Sequence, residues 1–295
     1  MLNHEINRAF RARLNKGGAL LLPGAANALA ARIIADLGFE AIYLSGAGLT
    51  NTYLGMPDLG FISLPELAQH TATIRDATDL PIVVDADTGF GNALNMRHTI
   101  RTLERAGASA VQIEDQVNPK RCGHFSGKDV VDLEEARSRI KAAVDARQDE
   151  NLLIVARTDA RATLGFDAAI ERAQAFIEDG ADITFVEAPE SIDEIRQIPA
   201  RLMGTPQLVN LVVGGRTPIL DFDELEEMGF ALVLYANVAL QGAVYGMQAA
   251  LGKLKAEGRL DESGPVAGFK ERQRLVNKPF FDELEQRYAT GRNQQ

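Results

Sequence analysis

Pro81–Gly91 reads Pro-Ile-Val-Val-Asp-Ala-Asp-Thr-Gly-Phe-Gly. A short, unbroken aliphatic run of this kind is what a parallel strand buried on both faces looks like. It ends in two carboxylates, Asp85 and Asp87, and then in Gly89 and Gly91, which free the backbone beyond them. Seven more runs of the same character flank it: Ala19–Pro23, Ala41–Ser45, Ala110–Glu114, Leu152–Arg157, Ile183–Glu187, Gln207–Asn210 and Leu232–Leu234. Helical periodicity fills the intervals at Ala28–Leu37, Asn95–Arg105, Leu133–Ala146, Asp167–Asp179 and Ser191–Ile198. Gly38, Gly107, Gly180 and Gly229 fall where a left-handed C-cap turns a helix back into a strand. Eight strands with seven helical connections predict an α/β fold, a (β/α)₈ TIM barrel. The alternative is an open doubly wound sheet, but no Gly-rich nucleotide loop follows the first run. Leu240–Leu254 and Asp282–Tyr288 predict further helices. The whole chain, 1–295, thus reads as one barrel domain with a C-terminal helical extension from about 240 to 295 for oligomer contacts.

Composition narrows the partners. The 295 residues are 46% hydrophobic and 24% charged, ordinary for a globular protein with a large core. A net charge of −10 repels nucleic acid and anionic membrane, so neither is an expected partner. It does not exclude an anionic substrate, because a local pocket of Arg, Lys and metal overrides the global field. The single cysteine, Cys122, rules out an intramolecular disulfide and points to a reducing compartment. Met1–Asn15 lacks the apolar stretch of a signal peptide. No apolar run approaches the ~20 residues that span a bilayer. The expected location is cytoplasmic.

The runs end in chemistry. They finish in Ser45-Gly46, Asp85-Ala86-Asp87, Glu114-Asp115, Arg157-Thr158-Asp159, Glu187 and Asn210. One such ending is a solvated strand terminus; six at the same end of successive strands mark the face where barrels of this type keep their active sites. If the strand pleat continues through Asp85, the i, i+2 spacing points Asp85 and Asp87 the same way. Their hard oxygens, with Glu114 from the next strand, suit Mg²⁺ or Mn²⁺. The other reading of the pair is a cap for the helix near Asn92–Asn95. Lys120-Arg121-Cys122-Gly123-His124 gathers three potential cations around one thiol, which favours thiolate and makes Cys122 a proton donor or acceptor near neutral pH. The other reading is a free cysteine in a basic surface loop. His4, His70 and His98 read as structural or surface residues. Arg157 can grip a carboxylate with two parallel hydrogen bonds, and an ion pair with Glu187 or Asp159 is compatible with that. Val213–Pro218 reads either as a phosphate loop or as a substrate-adjacent loop.

With these residues assembled, the chain resembles the isocitrate lyase / phosphoenolpyruvate mutase superfamily from about Phe10 to about Gly252. The resemblance rests on Tyr43-Leu-Ser-Gly46, Leu54-Gly-Met-Pro-Asp58, Asp85–Gly91, Ile113-Glu-Asp-Gln116, Lys120–His124, Ala156-Arg-Thr-Asp159 and Glu171-Arg-Ala-Gln174. The Lys-Arg-Cys-Gly-His segment is similar to the lyase branch, that of 2-methylisocitrate and 2,3-dimethylmalate lyases, with oxaloacetate hydrolases nearby. The resemblance implies a barrel whose eighth helix is swapped between subunits, in dimers that pair into a homotetramer. It implies Mg²⁺ on Asp85 and Asp87, with Glu114 reaching it directly or through water. It assigns Ser45, Gly46, Ala47 and Arg157 to the 2-oxo acid carboxylate, and places Asp58 near the substrate oxygens. Cys122 becomes the general acid, with Lys120 and His124 in the catalytic segment and Gly123, His124, Glu187 and Asn210 lining the pocket.

One departure bears on substrate. Where methylisocitrate lyases carry an arginine for an additional carboxylate, an ungapped count from Leu234-Tyr235 reaches Gln241. Asn210 is also followed by Leu211-Val212 in place of Ile-Thr. A dicarboxylate such as a 2-alkylmalate, 2,3-dimethylmalate or oxaloacetate therefore fits better than a tricarboxylate, with 2-methylisocitrate kept as a further candidate. The expected activity is Mg²⁺-dependent carbon–carbon cleavage of a 2-hydroxy dicarboxylate. Oxaloacetate hydrolysis or decarboxylation, phosphonate chemistry, and a non-catalytic barrel are the alternatives.

Overall fold

In the computed structural model, which describes residues 1–120, 127 and 129–289, eight parallel strands close in chain order. They are β1 Leu20–Ala25, β2 Ile42–Leu44, β3 Ile82–Asp85, β4 Ala110–Glu114, β5 Leu153–Thr158, β6 Ile183–Val186, β7 Gln207–Asn210 and β8 Leu232–Tyr235. β8 pairs back onto β1, from Leu20 opposite Leu232 to Pro23 opposite Tyr235, so no strand edge is left unpaired. The expected barrel is the observed one. Each strand boundary lies within two residues of its apolar run, because a run buried on both faces has no other place to go.

Alternation along each strand sorts residues into two layers. Outward residues such as Ile42, Val84, Ile113 and Ile154 pack against the surrounding helices, as do Val186, Val209 and Val233. Inward residues, among them Leu22, Tyr43, Val83, Ala110, Val155, Phe185, Leu208 and Leu234, form one cluster along the barrel axis. Phe10 and Leu14 join that cluster from the helix Asn3–Asn15, which buries Ile6, Phe10 and Leu14 at i, i+4 and i+8. They meet it beside the first strand residues, so this helix plugs the end of the barrel opposite the strand ends that carry charge.

The outer ring includes Ala28–Asp36, Leu64–Ala77, Ala93–Ala106, Leu133–Ala146, Phe166–Glu178, Ile192–Arg201 and Phe222–Met228. Leu64–Ala77 opens with a capping box in which the Ser63 N–H and hydroxyl both donate to Glu66, at 2.8 and 2.6 Å. The four expected return glycines all take positive φ, from +83° at Gly38 to +100° at Gly107 and Gly229.

The chain divides into two compact units, Met1–Leu240 and Gln241–Gln295. The first holds the barrel. The second holds most of the helix Val238–Glu257 together with Phe269–Leu275 and Lys278–Tyr288. None of these three helices buries a residue, and Tyr245, Leu251 and Phe269 stand 77%, 63% and 64% exposed. No described helix is long and apolar enough to cross a membrane.

Candidate active site

The site is the next step of the inward alternation. Moving two residues up each strand leads from Tyr43 to Ser45, Val83 to Asp85, Gln112 to Glu114, Val155 to Arg157, Phe185 to Glu187 and Leu208 to Asn210. The residue below each is core; the residue above is polar and still buried. Over this layer lies a cavity of about 460 Å³. It is lined by Ser45, Ala47, Asp58, Asp85, Lys120, Arg157, Glu187 and Asn210, joined by Tyr43, the Val212–Arg216 loop, Ala236 and Asn237. Gly46, Asp87 and Glu114 adjoin it. Cys122, Gly123 and His124 lie outside the described residues.

On the β3 side, Asp85 accepts three neutral donors: Gln112 Nε2 at 3.2 Å and the Asp87 N–H at 3.3 Å on Oδ1, and the Gly46 N–H at 3.3 Å on Oδ2. Asp87 meets a cation instead. Lys120 Nζ sits 2.8 Å from Asp87 Oδ1 and 2.6 Å from Asp58 Oδ1, and is almost wholly buried. Burial opposes that ammonium, but Asp87, Glu114, Asp85 and Asp58 together hold it protonated well above an ordinary lysine. Burial lifts the Asp87 carboxyl to about 7 against the pull of Lys120, with Asp85 and Asp58 adding to the rise.

The two aspartates do not converge by strand pleat. β3 ends at Asp85, and Asp87 takes φ +49°, with Phe90 at +62° close behind. A left-handed turn, costly for residues with a Cβ, swings Asp87 over beside Asp85. Gly89, at φ +84°, completes it.

On the β5 side, Asp159 takes the Nε and Nη2 hydrogens of Arg157, at 2.9 and 3.1 Å. Glu114 Oε2 lies 3.4 Å from Nε, and Glu187 Oε2 lies 3.6 Å from Nη1. The guanidinium rests on the Phe185 ring, 5.3 Å from its centroid. Both expected ion pairs are thus present, and the side edge of the fork belongs to Asp159. Burial works against the charge, but Asp159, Glu187 and Glu114 hold it well above an ordinary arginine. Burial likewise pushes Glu114 well up, opposed by Arg157.

Beneath this clamp, Asp115 accepts the Thr158 hydroxyl at 2.7 Å, the Asp159 N–H at 2.8 Å and Arg172 Nη1 at 3.1 Å. Arg172 Nη2 also donates to Val131 O at 2.7 Å, and Arg139 Nη1 to Gln116 O at 3.3 Å. Gln116 and Val130 form an antiparallel bridge. The strand end and the far side of the Cys122 segment are therefore stitched together.

The donor set fits a divalent cation. Asp58, Asp85, Asp87, Glu114, Asp159 and Glu187 face Lys120 and Arg157, an excess of buried negative charge. Glu114 Oε1 is buried with no hydrogen-bond partner. A Cβ placed on Gly46 would lie 3.2 Å from both Asp85 Oδ2 and Asp87 Oδ1, so the two carboxylates converge on the space beside this glycine. Among the described residues no three His, Cys, Asp or Glu groups form a complete cage. Mg²⁺ needs none, since it takes one or two carboxylates and fills the rest with water and substrate oxygens.

Sequence reading overlooked three lining residues. Tyr43 lies one layer down, where its burial reads as core. Asn237, whose Oδ1 accepts the Ser45 hydroxyl at 3.3 Å, lies just beyond the eighth run, whose last residues carry no charge to mark a strand end. Arg216 sits at the rim, 3.6 Å from Glu190; only its loop had been singled out.

Comparison with known proteins agrees with this geometry. The phosphoenolpyruvate phosphomutase family model matches residues 10–255. A 2,3-dimethylmalate lyase of Eubacterium barkeri is 41% identical over 96% of this chain and 98% of its own. A 2-methylisocitrate lyase of Aeropyrum pernix is 45% identical over 84% of this chain and 80% of its own. Among solved structures, 2,3-dimethylmalate lyase superposes with TM-score 0.92 at 32% identity, covering 100% of this chain and 98% of that one. Oxaloacetate acetylhydrolase with 3,3-difluorooxalacetate gives 0.90 at 29%, covering 96% and 97%. Phosphonopyruvate hydrolase with oxalate and Mg²⁺ gives 0.88 at 29%, covering 98% and 100%.

Proposed function

The chain belongs to the phosphoenolpyruvate mutase / isocitrate lyase superfamily as a carbon–carbon lyase, and from that premise we propose that it cleaves a 2-hydroxy dicarboxylate of the 2-alkylmalate or 2,3-dimethylmalate type to a 2-oxo acid such as pyruvate and a second carboxylate. The observation that carries this reading is the top layer of the barrel, where Asp85 at the end of β3 and the buried Arg157 of β5 line one cavity, with Asp87 beside Asp85.

Asp85 and Asp87 would hold Mg²⁺ or Mn²⁺, with Glu114 next to them. When bound, the ion supplies Lewis-acid stabilisation of the 2-oxygen, worth several kcal/mol. Ser45, Gly46 and Ala47 receive the 2-oxo acid carboxylate from the β2 side and Arg157 from the β5 side. Asp58, 2.6 Å from Lys120 Nζ, accepts the 2-hydroxyl proton. The O–H electron pair becomes the C=O bond, C2–C3 breaks, and its pair moves onto the departing fragment as an aci-carboxylate. Cys122, two residues from Lys120 in sequence, returns a proton to that carbon, a step worth about 10²–10⁴ in rate. Gly123, His124, Glu187 and Asn210 line the fragment's side. The ungapped count that reaches the uncharged Gln241, where methylisocitrate lyases carry an arginine, favours a dicarboxylate over methylisocitrate.

The test is a panel of 2,3-dimethylmalate, 2-methylmalate, 2-methylisocitrate and oxaloacetate, with 2-oxo acid release followed by a coupled dehydrogenase. Turnover of an alkylmalate, abolished by Cys122→Ser, supports the reading. Hydrolysis of oxaloacetate alone would replace it with the second reading, which the likeness to oxaloacetate acetylhydrolase favours. The exposed apolar residues of the C-terminal helices support a homotetramer built by exchanging that extension between copies. Light scattering at a monomer mass would remove it. A cytoplasmic location accords with the single cysteine.

A further inference from the structure

One layer beneath the charged mouth, the inward residues are apolar apart from Tyr43 and Gln112. Both are buried, Gln112 completely. Gln112 stands opposite Asp85 on one side and Val155 on the other. Its Nε2 donates to Asp85 Oδ1 at 3.2 Å, and the Tyr43 hydroxyl donates to its Oε1 at 3.0 Å.

The polarity of this chain has one solution. An ionised carboxylate can only accept, so the amide must turn its nitrogen to Asp85. Its oxygen then faces Tyr43, whose hydroxyl must donate. Remove the phenol and the amide oxygen loses the donor that steadies this orientation. Remove the amide and Asp85 Oδ1 keeps only the Asp87 N–H. The contrast with Asp87 gives the chain its purpose. Lys120 holds Asp87 with a charge, whereas Gln112 holds Asp85 without one, so Asp85 is oriented by neutral donors alone.

We propose that Tyr43 and Gln112 are positioning residues that orient Asp85 as a divalent-cation ligand. The inference rests on reading Asp85 as that ligand, and the experiment separates the two. Mn²⁺ affinity is measured by electron paramagnetic resonance on the full chain, without substrate, in wild type, Asp85→Ala, Gln112→Met and Tyr43→Phe. Outer partners of metal ligands typically contribute 10–100-fold in affinity. The expected results are loss of the site in Asp85→Ala, about tenfold weaker binding with an altered spectrum in Gln112→Met, and a few-fold weakening in Tyr43→Phe. Tyr43→Phe removes only one oxygen and keeps the core volume, so it tests the chain even if Gln112→Met folds poorly. Wild-type affinity in both outer variants, with the site lost in Asp85→Ala, overturns the positioning role. Full affinity in Asp85→Ala overturns the ligand assignment, and the positioning role falls with it. Weakening in Gln112→Met alone removes Tyr43 from the chain and leaves Gln112.

Discussion

Two buried cations line the pocket, and they are held in opposite ways. Lys120 reaches in from the segment after β4 and divides a compact charge between Asp58 and Asp87. Arg157 rises from β5 itself, gives one edge to Asp159 and rests on Phe185. Asp159 is in turn tied through its backbone to Asp115. The Lys120 side holds a carboxylate, Asp85, on neutral donors, which makes it the side where the proposed cation would bind. The Arg157 side is already enclosed by carboxylates, so it fixes a direction for an incoming anion. One side is a place for charge to arrive; the other is a frame.

Four measurements would break or sharpen that contrast. The largest effect belongs to the cation itself. Chelation by EDTA should lower kcat by on the order of 10³-fold, matching the several kcal/mol a bound metal supplies. Added Mg²⁺ should restore it, and turnover unaffected by EDTA would abolish the distinction between the two sides.

Next comes Lys120→Met. Deleting one member of a buried ion pair typically costs about 3–5 kcal/mol. Denaturant unfolding of the metal-free protein should register that loss. Saturating Mn²⁺ should recover part of it, because the ion can neutralise Asp87. Arg157→Met should lose a similar amount and recover none; equal recovery in both would erase the contrast.

Arg157→Lys comes third. A lysine cannot reproduce the paired hydrogen bonds to Asp159. Losing charge-assisted hydrogen bonds worth about 1.5–3 kcal/mol predicts a fall in kcat/KM of about 10²-fold. Excess Mg²⁺ should not repair it.

The smallest effect is in pH. Asp87 in the metal-free fold titrates at about 7, above the 3.8 of an unperturbed aspartate. The fold then binds more protons than the unfolded chain between these values, so stability declines as pH rises through that window and levels above it. Between pH 5.5 and 7.5 the melting temperature should fall by a few degrees, at roughly 2–4 °C per kcal/mol. Asp87→Asn should flatten the slope.

The barrel was legible because its signal is local. A strand buried on both faces is an aliphatic run, and all eight runs were visible. The N-terminal plug was equally local, in Ile6, Phe10 and Leu14, yet those residues were weighed only against a signal peptide. Leu64–Ala77 lies outside the expected helices, although Ser63-Leu-Pro-Glu66 carries a capping-box signature. What the sequence concealed depended on register or on turn geometry. The left-handed turn at Asp87 breaks the pleat that the i, i+2 spacing presumes. Gln112 looks like one more core residue until β4 is set beside β3. The hold of Asp159 on Arg157 could be named as an ion pair, but not as the edge of the fork it occupies. The strand-end residues share one layer, because one inward step beyond a core residue is a rule of alternation that needs no coordinates.

Asp115 and Arg172 carry a consequence for engineering. They fasten the end of β4 and the backbone at Val131 to the same anchor that steadies Arg157. Everything between the stitches at Gln116 and Val130 can then be treated as a cassette. A library that varies those intervening positions but keeps Lys120, whose ammonium bridges Asp58 and Asp87, would search new proton donors and new fragment specificities while the Arg157 frame stays unaltered. Superfamily barrels that share this pair of stitches should accept one another's cassettes, and chemistry would travel between them as a short stretch of gene.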